Sequence, residues 1–242
     1  MGVIIPAVLP SSRRDLEEKL ARFSAETDAD TVQIDIVDGR FAKPASWPYA
    51  NGSEEFAAAS ARGETLPYLG RFRYEVDLMT SDPERVMGLW IATGASRITV
   101  HAESTTYLPM IVADLARTYG YDRDFSPDLL SFGLAIGSAT DLALVEQYLE
   151  HLNYVQFMGI AAIGKQGEPF DRRVVQKIIA FRKRHPDVDI QVDGGVTKQT
   201  APLLLSAGVD HLIVGHALLQ AKDMRKEYEE LSALAERYGT YE

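Results

Sequence analysis

Along the chain, short stretches in which apolar and polar residues alternate with period two give way to longer stretches with a helical period, and the exchange happens eight times. The pattern predicts strands over 3–9, 31–37, 72–78, 96–100, 130–136, 154–158, 188–192 and 211–214. It predicts helices over 13–25, 53–62, 83–91, 107–119, 141–150, 171–185, 199–207 and 224–238. Ser11-Ser12 stands where an N-cap belongs, and Ser81-Asp82-Pro83 opens the third helix in the same manner. The segment 40–52 carries Phe41, Pro44, Trp47, Pro48 and Tyr49, too many rings and prolines for a helix, and reads as an ordered loop with Trp47 packed inside it. The polar stretch 120–128 reads as a surface loop.

Eight strand-then-helix units without a compositional break argue for a single (β/α)8 TIM barrel over 1–242 rather than an open doubly wound sheet. No GxGxxG follows the first strand, which weakens a dinucleotide-binding alternative. In a barrel the working groups collect at the C-terminal strand ends. Those ends carry Gln33 and Asp35, Asp77, His101, Asp193-Gly194-Gly195 and Gly215-His216. Gln33 and Asp35 share one face of their strand, with Val32, Ile34 and Ile36 on the other. An Asp-Gly-Gly turn alone could be an ordinary solvated turn, so the weight lies in the repetition of acids and glycines from strand to strand. The glycine turns after the last three strands, Gly164-Lys165-Gln166-Gly167, Gly194-Gly195 and Gly215-His216, fall where such barrels hold phosphate on backbone N–H groups. His101 either touches substrate or is a core histidine satisfied by a neighbour. Met79 and Met158 end strands beside the acids, and the histidines at 151, 185 and 211 are assigned no role.

A hydrophobic fraction of 46% with 25% charged residues is that of an ordinary globular chain. The formal net charge of −10, with no dense basic run, disfavours nucleic acid as a partner. The chain has no cysteine, no secretory leader pattern at its start and no apolar window of membrane-spanning length, so a membrane partner is not expected and the cytoplasm is the expected location.

The stretches Val32-Gln33-Ile34-Asp35-Ile36-Val37-Asp38-Gly39, Glu75-Val76-Asp77-Leu78-Met79, Ile98-Thr99-Val100-His101, Gln191-Val192-Asp193-Gly194-Gly195-Val196 and Val214-Gly215-His216-Ala217 resemble, in order and spacing, the ribulose-phosphate 3-epimerase family. The resemblance implies a ribulose-phosphate-binding barrel in which Asp35 and Asp193 exchange protons with carbon 3 of a ketose phosphate from opposite faces, D-ribulose 5-phosphate to D-xylulose 5-phosphate or a six-carbon variant. It also implies a divalent metal held by both acids and two histidines, with methionines around it. This sequence departs from that pattern. Gln33 and Asp77 stand where the family writes histidine, Ala7 where it writes serine after the first-strand proline, and His216 where it usually writes serine. The family's long Asn-Pro-Gly-Phe-Gly-Gly-Gln loop is replaced by 161–168.

Gln33, Asp35, Asp77 and Asp193 would form an all-oxygen donor set suited to Mg²⁺ or Mn²⁺ rather than Zn²⁺. Without a cation, three converging carboxylates would repel and one would keep its proton near neutrality. A protonated acid opposite an ionised base is itself a competent pair, but anionic walls oppose an enediolate, which favours a retained metal. The alternative from another class is a sugar-phosphate binding or regulatory protein that kept the cradle and lost the catalyst. A decarboxylase or aldolase on the same barrel is disfavoured, since neither the second nor the third strand end carries the lysine those relatives place there. A protonated His216 could pair with the substrate phosphate, and pairing of two copies through helical faces or loops is left open.

Overall fold

In the computed structural model, which describes residues 2–119 and 130–239, eight parallel strands close into a barrel in sequence order. The strands are β1 Val3–Val8, β2 Thr31–Val37, β3 Arg73–Met79, β4 Ala95–His101, β5 Ser131–Ile136, β6 Tyr154–Met158, β7 Asp189–Asp193 and β8 His211–Val214. The helices are α1 Arg13–Glu26, α2 Ser53–Ala61, α3 Pro83–Ala92, α4 Leu108–Tyr119, α5 Ala143–Glu146, α6 Arg173–Arg184, α7 Ala201–Ser206, α8 His216–Leu219 and α9 Met224–Tyr238. Among the described residues no helix is long and apolar enough to cross a membrane. The expected loop at 120–128 lies outside the described residues.

The alternation read from the sequence sorts the two faces of the barrel wall. Val32, Ile34, Ile36, Val76, Leu78, Ile98, Val100, Val155, Phe157, Ile190 and Val192 join one large apolar cluster with Leu16, Leu20 and Phe23 of α1 and Ile178 and Phe181 of α6. The opposite face is unusually polar for a barrel interior, which branched aliphatics ordinarily fill. Gln33, Glu75, Asp77, Thr99, Gln156 and Gln191 are all fully buried there. β1 and β8 contribute Ile5, Ala7 and Ile213 as a small apolar patch on the same side. Parallel register sets Asp35 beside Asp77 and Met158 beside Asp193, and the acids of the three strands converge across the barrel.

Three helices differ from the expectation. The predicted helix 141–150 is reduced to α5 and a single 3-10 turn, Leu149–His151. Asp141 turns its carboxylate onto the Ala143 N–H at 2.9 Å, and Tyr148 leaves helical geometry at φ −112°, ψ 1°. The predicted helix 199–207 begins later, at Ala201, because Thr197 and Thr200 fold a hydroxyl-capped turn ahead of it, with Thr200 Oγ1 2.9 Å from the Thr197 N–H. The one-turn α8 was not anticipated. The 40–52 loop is ordered as expected. Trp47 is buried, edge-on to Phe56 at 5.2 Å and to Trp90 at 5.9 Å, and Ser46 Oγ accepts from the Val37 N–H at 2.9 Å to tie the loop to β2.

Candidate functional site

A cavity of about 310 Å³ opens over the C-terminal strand ends. Its lining includes Asp35, Asp193, Gly164, Gln166, Gly167, Gly194, Gly195, Gly215 and His216, so nine of the residues singled out in the sequence meet in one place. Gln33 and Asp77 are fully buried and do not reach the cavity surface; they back the two acids that do. Ala7, Met79 and Met158 also line it. Leu9, Ile160, Thr197 and Phe170 are among the other residues of the wall, and sequence reasoning assigned them no role. Their only signal is position, since each lies within a few residues of a strand end or a glycine turn.

The glycine turns are demanded by close approach. Gly195 has φ +68°, and a Cβ there would come within 2.9 Å of the Phe170 backbone. At Gly215 a Cβ would meet Gln166 Nε2, because the loop after β6 lays that amide across the turn after β8. The same loop sets Gly167 against the His216 ring and Gly164 against Ala42 and Lys43 of the loop after β2. Ile163 packs on both the Met79 and the Met158 clusters. The replaced loop therefore spans the mouth, with an amide, an imidazole and bare backbone gathered on one side and Met79 and Met158 on the other.

At the base, one carboxylate oxygen each of Asp35, Asp77 and Asp193 lie within 4.8 Å of one another. Gln33 Nε2 donates to Asp35 Oδ1 at 2.7 Å and reaches Asp193 Oδ2 at 3.4 Å, bridging the two acids. Gln156 Nε2 donates to Asp77 Oδ2 at 3.0 Å. His101 Nε2 stands 3.1 Å from Asp77 Oδ1 in an ionic contact too poorly aligned to be a hydrogen bond, and Phe41 packs on its ring at 5.4 Å. With 1% exposure and no share in the cavity wall, His101 is a core histidine that meets Asp77 only through this contact.

Electrostatics follow from this crowding. Burial first, and then the charges of Asp193 and Asp77, hold the Asp35 carboxyl well above the usual carboxylate range, against the opposing Gln33 hydrogen bond. Asp193 is raised to about 7 by burial and by Asp77, with His101 opposing. Burial alone would lower His101, but the neighbouring Asp77 charge outweighs it and the imidazole is raised. The donor set itself bears on cation binding. Three converging carboxylates are what a hard divalent cation takes, and Gln33 Oε1, without a hydrogen-bond partner among the described residues, would join them once its amide turned over, since its NH₂ now faces Asp35 and Asp193. Opposite ligands of such a cation stand about 4–5 Å apart. The residues fit.

The family model described as the ribulose-phosphate 3 epimerase family matches residues 3–219. This chain belongs to that family. The ribulose-phosphate 3-epimerase of Bacillus subtilis (strain 168) is 28% identical over 208 residues, covering 84% of this chain and 86% of that protein. The ribulose-phosphate 3-epimerase of Aquifex aeolicus (strain VF5) is 22% identical over 238 residues, covering 97% of each. Among solved structures, KGPDC from Streptococcus mutans superposes with a TM-score of 0.65 at 13% identity, covering 99% of this chain and 100% of that one. The 3-hexulose-6-phosphate synthase from Salmonella typhimurium gives 0.64 at 16%, covering 98% of this chain and 99% of that one. At such identities these neighbours speak to the fold alone, and the fold they share is the closed barrel described above.

Proposed function

We propose that this epimerase-family chain inverts carbon 3 of a ketose phosphate, D-ribulose 5-phosphate in the simplest case, by proton transfer between Asp193 and Asp35. The observation that carries the reading is the pair itself: two acids with raised protonation, Asp35 buried and Asp193 half-buried, both on the wall of one sugar-sized cavity, whose other side is bare glycine backbone with Gln166 and His216. A carboxyl near 7 is matched to abstracting and returning a proton at neutral pH. One acid takes the carbon 3 proton while the other, protonated, delivers one to the opposite face, and the roles exchange in the reverse direction.

Gln33, Asp35, Asp77 and Asp193 would hold a divalent cation, Mg²⁺ or Mn²⁺ in preference to Zn²⁺. When bound, the cation supplies positive charge beside the substrate oxygen that becomes anionic as carbon 3 is deprotonated. The chain's own contribution is to exclude water and to fix the sugar between the acids. Gly194, Gly195, Gly215 and His216, with the Gly164–Gly167 loop, would anchor the phosphate at a set distance from them. Met79 and Met158 offer the reacting carbons an apolar, polarizable wall without competing protons.

A non-catalytic sugar-phosphate binding protein is the second reading, and one feature favours it: Gln33 presents its N–H rather than its oxygen to Asp35 and Asp193, satisfying both acids without a cation. NMR of D-ribulose 5-phosphate incubated with the protein and Mn²⁺ separates the two. Appearance of D-xylulose 5-phosphate supports the epimerase. Binding by calorimetry with no product under any divalent cation supports the second reading.

A further inference from the structure

Behind the acids, the barrel interior holds a chain of polar side chains with a fixed sense of direction. It starts at Arg97, whose guanidinium donates and cannot accept. Arg97 Nε meets Glu75 Oε2 at 3.0 Å, and its Nη2 meets Gln191 Oε1 at 3.0 Å. The Gln191 carbonyl is thereby turned toward Arg97, so its NH₂ faces Glu75 Oε1 and, at 2.6 Å, Gln156 Oε1. With the Gln156 carbonyl occupied, its own NH₂ must face Asp77 Oδ2, at 3.0 Å. Thr99 Oγ1 donates to Glu75 Oε1 at 3.0 Å, and the Arg97 guanidinium lies over the Tyr154 ring at 4.1 Å. Glu75, Asp77, Gln156 and Gln191 have no exposed surface, so turning either amide round would set acceptor against acceptor with nothing to intervene.

We propose that Gln156 is a positioning residue: it holds Asp77 by Oδ2, the oxygen opposite the one that meets His101 Nε2 at 3.1 Å, and Arg97, through Gln191, dictates which end of the Gln156 amide does the holding. A group on the side of the barrel away from the substrate thus decides how a candidate cation ligand is presented. The orientation stands on hydrogen-bond chemistry alone; its consequence for catalysis rests on the cation reading given above.

The test uses the full chain in two arms. In the first, Gln156→Met keeps the volume and removes the amide. Mn²⁺ affinity measured by electron paramagnetic resonance should weaken about 10- to 100-fold, the range for partners of metal ligands, and kcat should fall with KM for the ketose phosphate within about threefold. Losses under about threefold in both affinity and kcat would overturn the proposal. In the second arm, on metal-free protein, the side-chain NH₂ signals of Gln156 are assigned by their absence in Gln156→Met. They should move in the charge-neutral pair Glu75→Gln with Arg97→Met, although Arg97 does not touch Gln156; Gln191→Met serves if that pair does not fold. Unmoved signals would overturn the relay. If the wild-type chain binds no Mn²⁺, the cation reading falls and the amide signals alone decide the orientation claim.

Discussion

Replacing Asp193 by Asn should move activity and stability in opposite directions, and the structure gives the scale of each. The side chain keeps its shape and still offers an oxygen to Gln33 Nε2, now 3.4 Å from Asp193 Oδ2, so the glycine turns and the cavity should survive. What is lost is the proton acceptor. A positioned acid or base contributes about 10²–10⁴-fold, so kcat should fall by that factor, about 3–5 kcal/mol of barrier. What is gained is relief of charge. The rise of Asp193 from 3.8 to about 7 corresponds to about 4 kcal/mol against its ionised form, an upper bound on the recoverable stability because Asp35 and Asp77 relax in its place. Asp193 is also the largest charge acting on Asp35, whose protonation should drop toward the ordinary range in the variant. Thermal unfolding in chelator at about pH 8 should therefore show a melting temperature at or above wild type, alongside a carbon 3 exchange rate reduced at least about a hundredfold. A variant within about threefold of wild-type turnover would exclude Asp193 as the acid or base. A large loss of melting temperature would show that its charge is satisfied in a way the present geometry does not contain.

Because Asp35 and Asp193 hold protons more tightly folded than unfolded, metal-free stability should fall as pH rises from about 4 through about 7, and the fall should shrink in Asp193→Asn. Urea midpoints at about pH 5 and pH 8 in chelator check the sign, and a steeper fall in the Asn variant would contradict it. Adding Mn²⁺ should restore more stability at the higher pH than at the lower, since a cation binds the deprotonated acids. Restoring the family's residues with Gln33→His and Asp77→His together should shift preference from Mg²⁺ or Mn²⁺ toward Zn²⁺ in metal titrations. Unchanged preference would mean the two positions do not ligate. Gly215→Ala should displace Gln166 rather than unfold the chain, because the first atom its Cβ meets is the end of a flexible amide. KM for the sugar phosphate should rise about tenfold or more, with the melting temperature little changed, and an unaltered KM would remove Gln166 from the phosphate cradle.

Period-two alternation was enough to place every strand within a residue or two, because one wall of each strand must be apolar to pack the helices whatever faces inward. Thr31–Val37, Tyr154–Met158 and His211–Val214 came out as read. The short helices were less legible. At Asp141 and Thr197 a side chain bonds nearby backbone and competes with the helix, a local choice that periodicity does not register. Of the site, the acids and glycines stood out because strand ends bring like residues to one rim. The Gln156, Gln191 and Glu75 chain did not, since each of those residues looks like an ordinary polar member of an alternating strand until register and burial join them. Nor could sequence distinguish an Asp77 facing the cavity from one buried behind it, which is where the structure puts it.

If Asp35 and Asp193 move the carbon 3 proton of a ketose phosphate, that proton must exchange with solvent. Deuterium wash-in at carbon 3, followed by NMR with D-ribulose 5-phosphate and Mn²⁺ in D₂O, tests it most directly. Solvent deuterium should appear at carbon 3 of both epimers and be lost in Asp35→Asn and in Asp193→Asn. Absence of exchange for five- and six-carbon ketose phosphates alike, under every divalent cation tried, would contradict it.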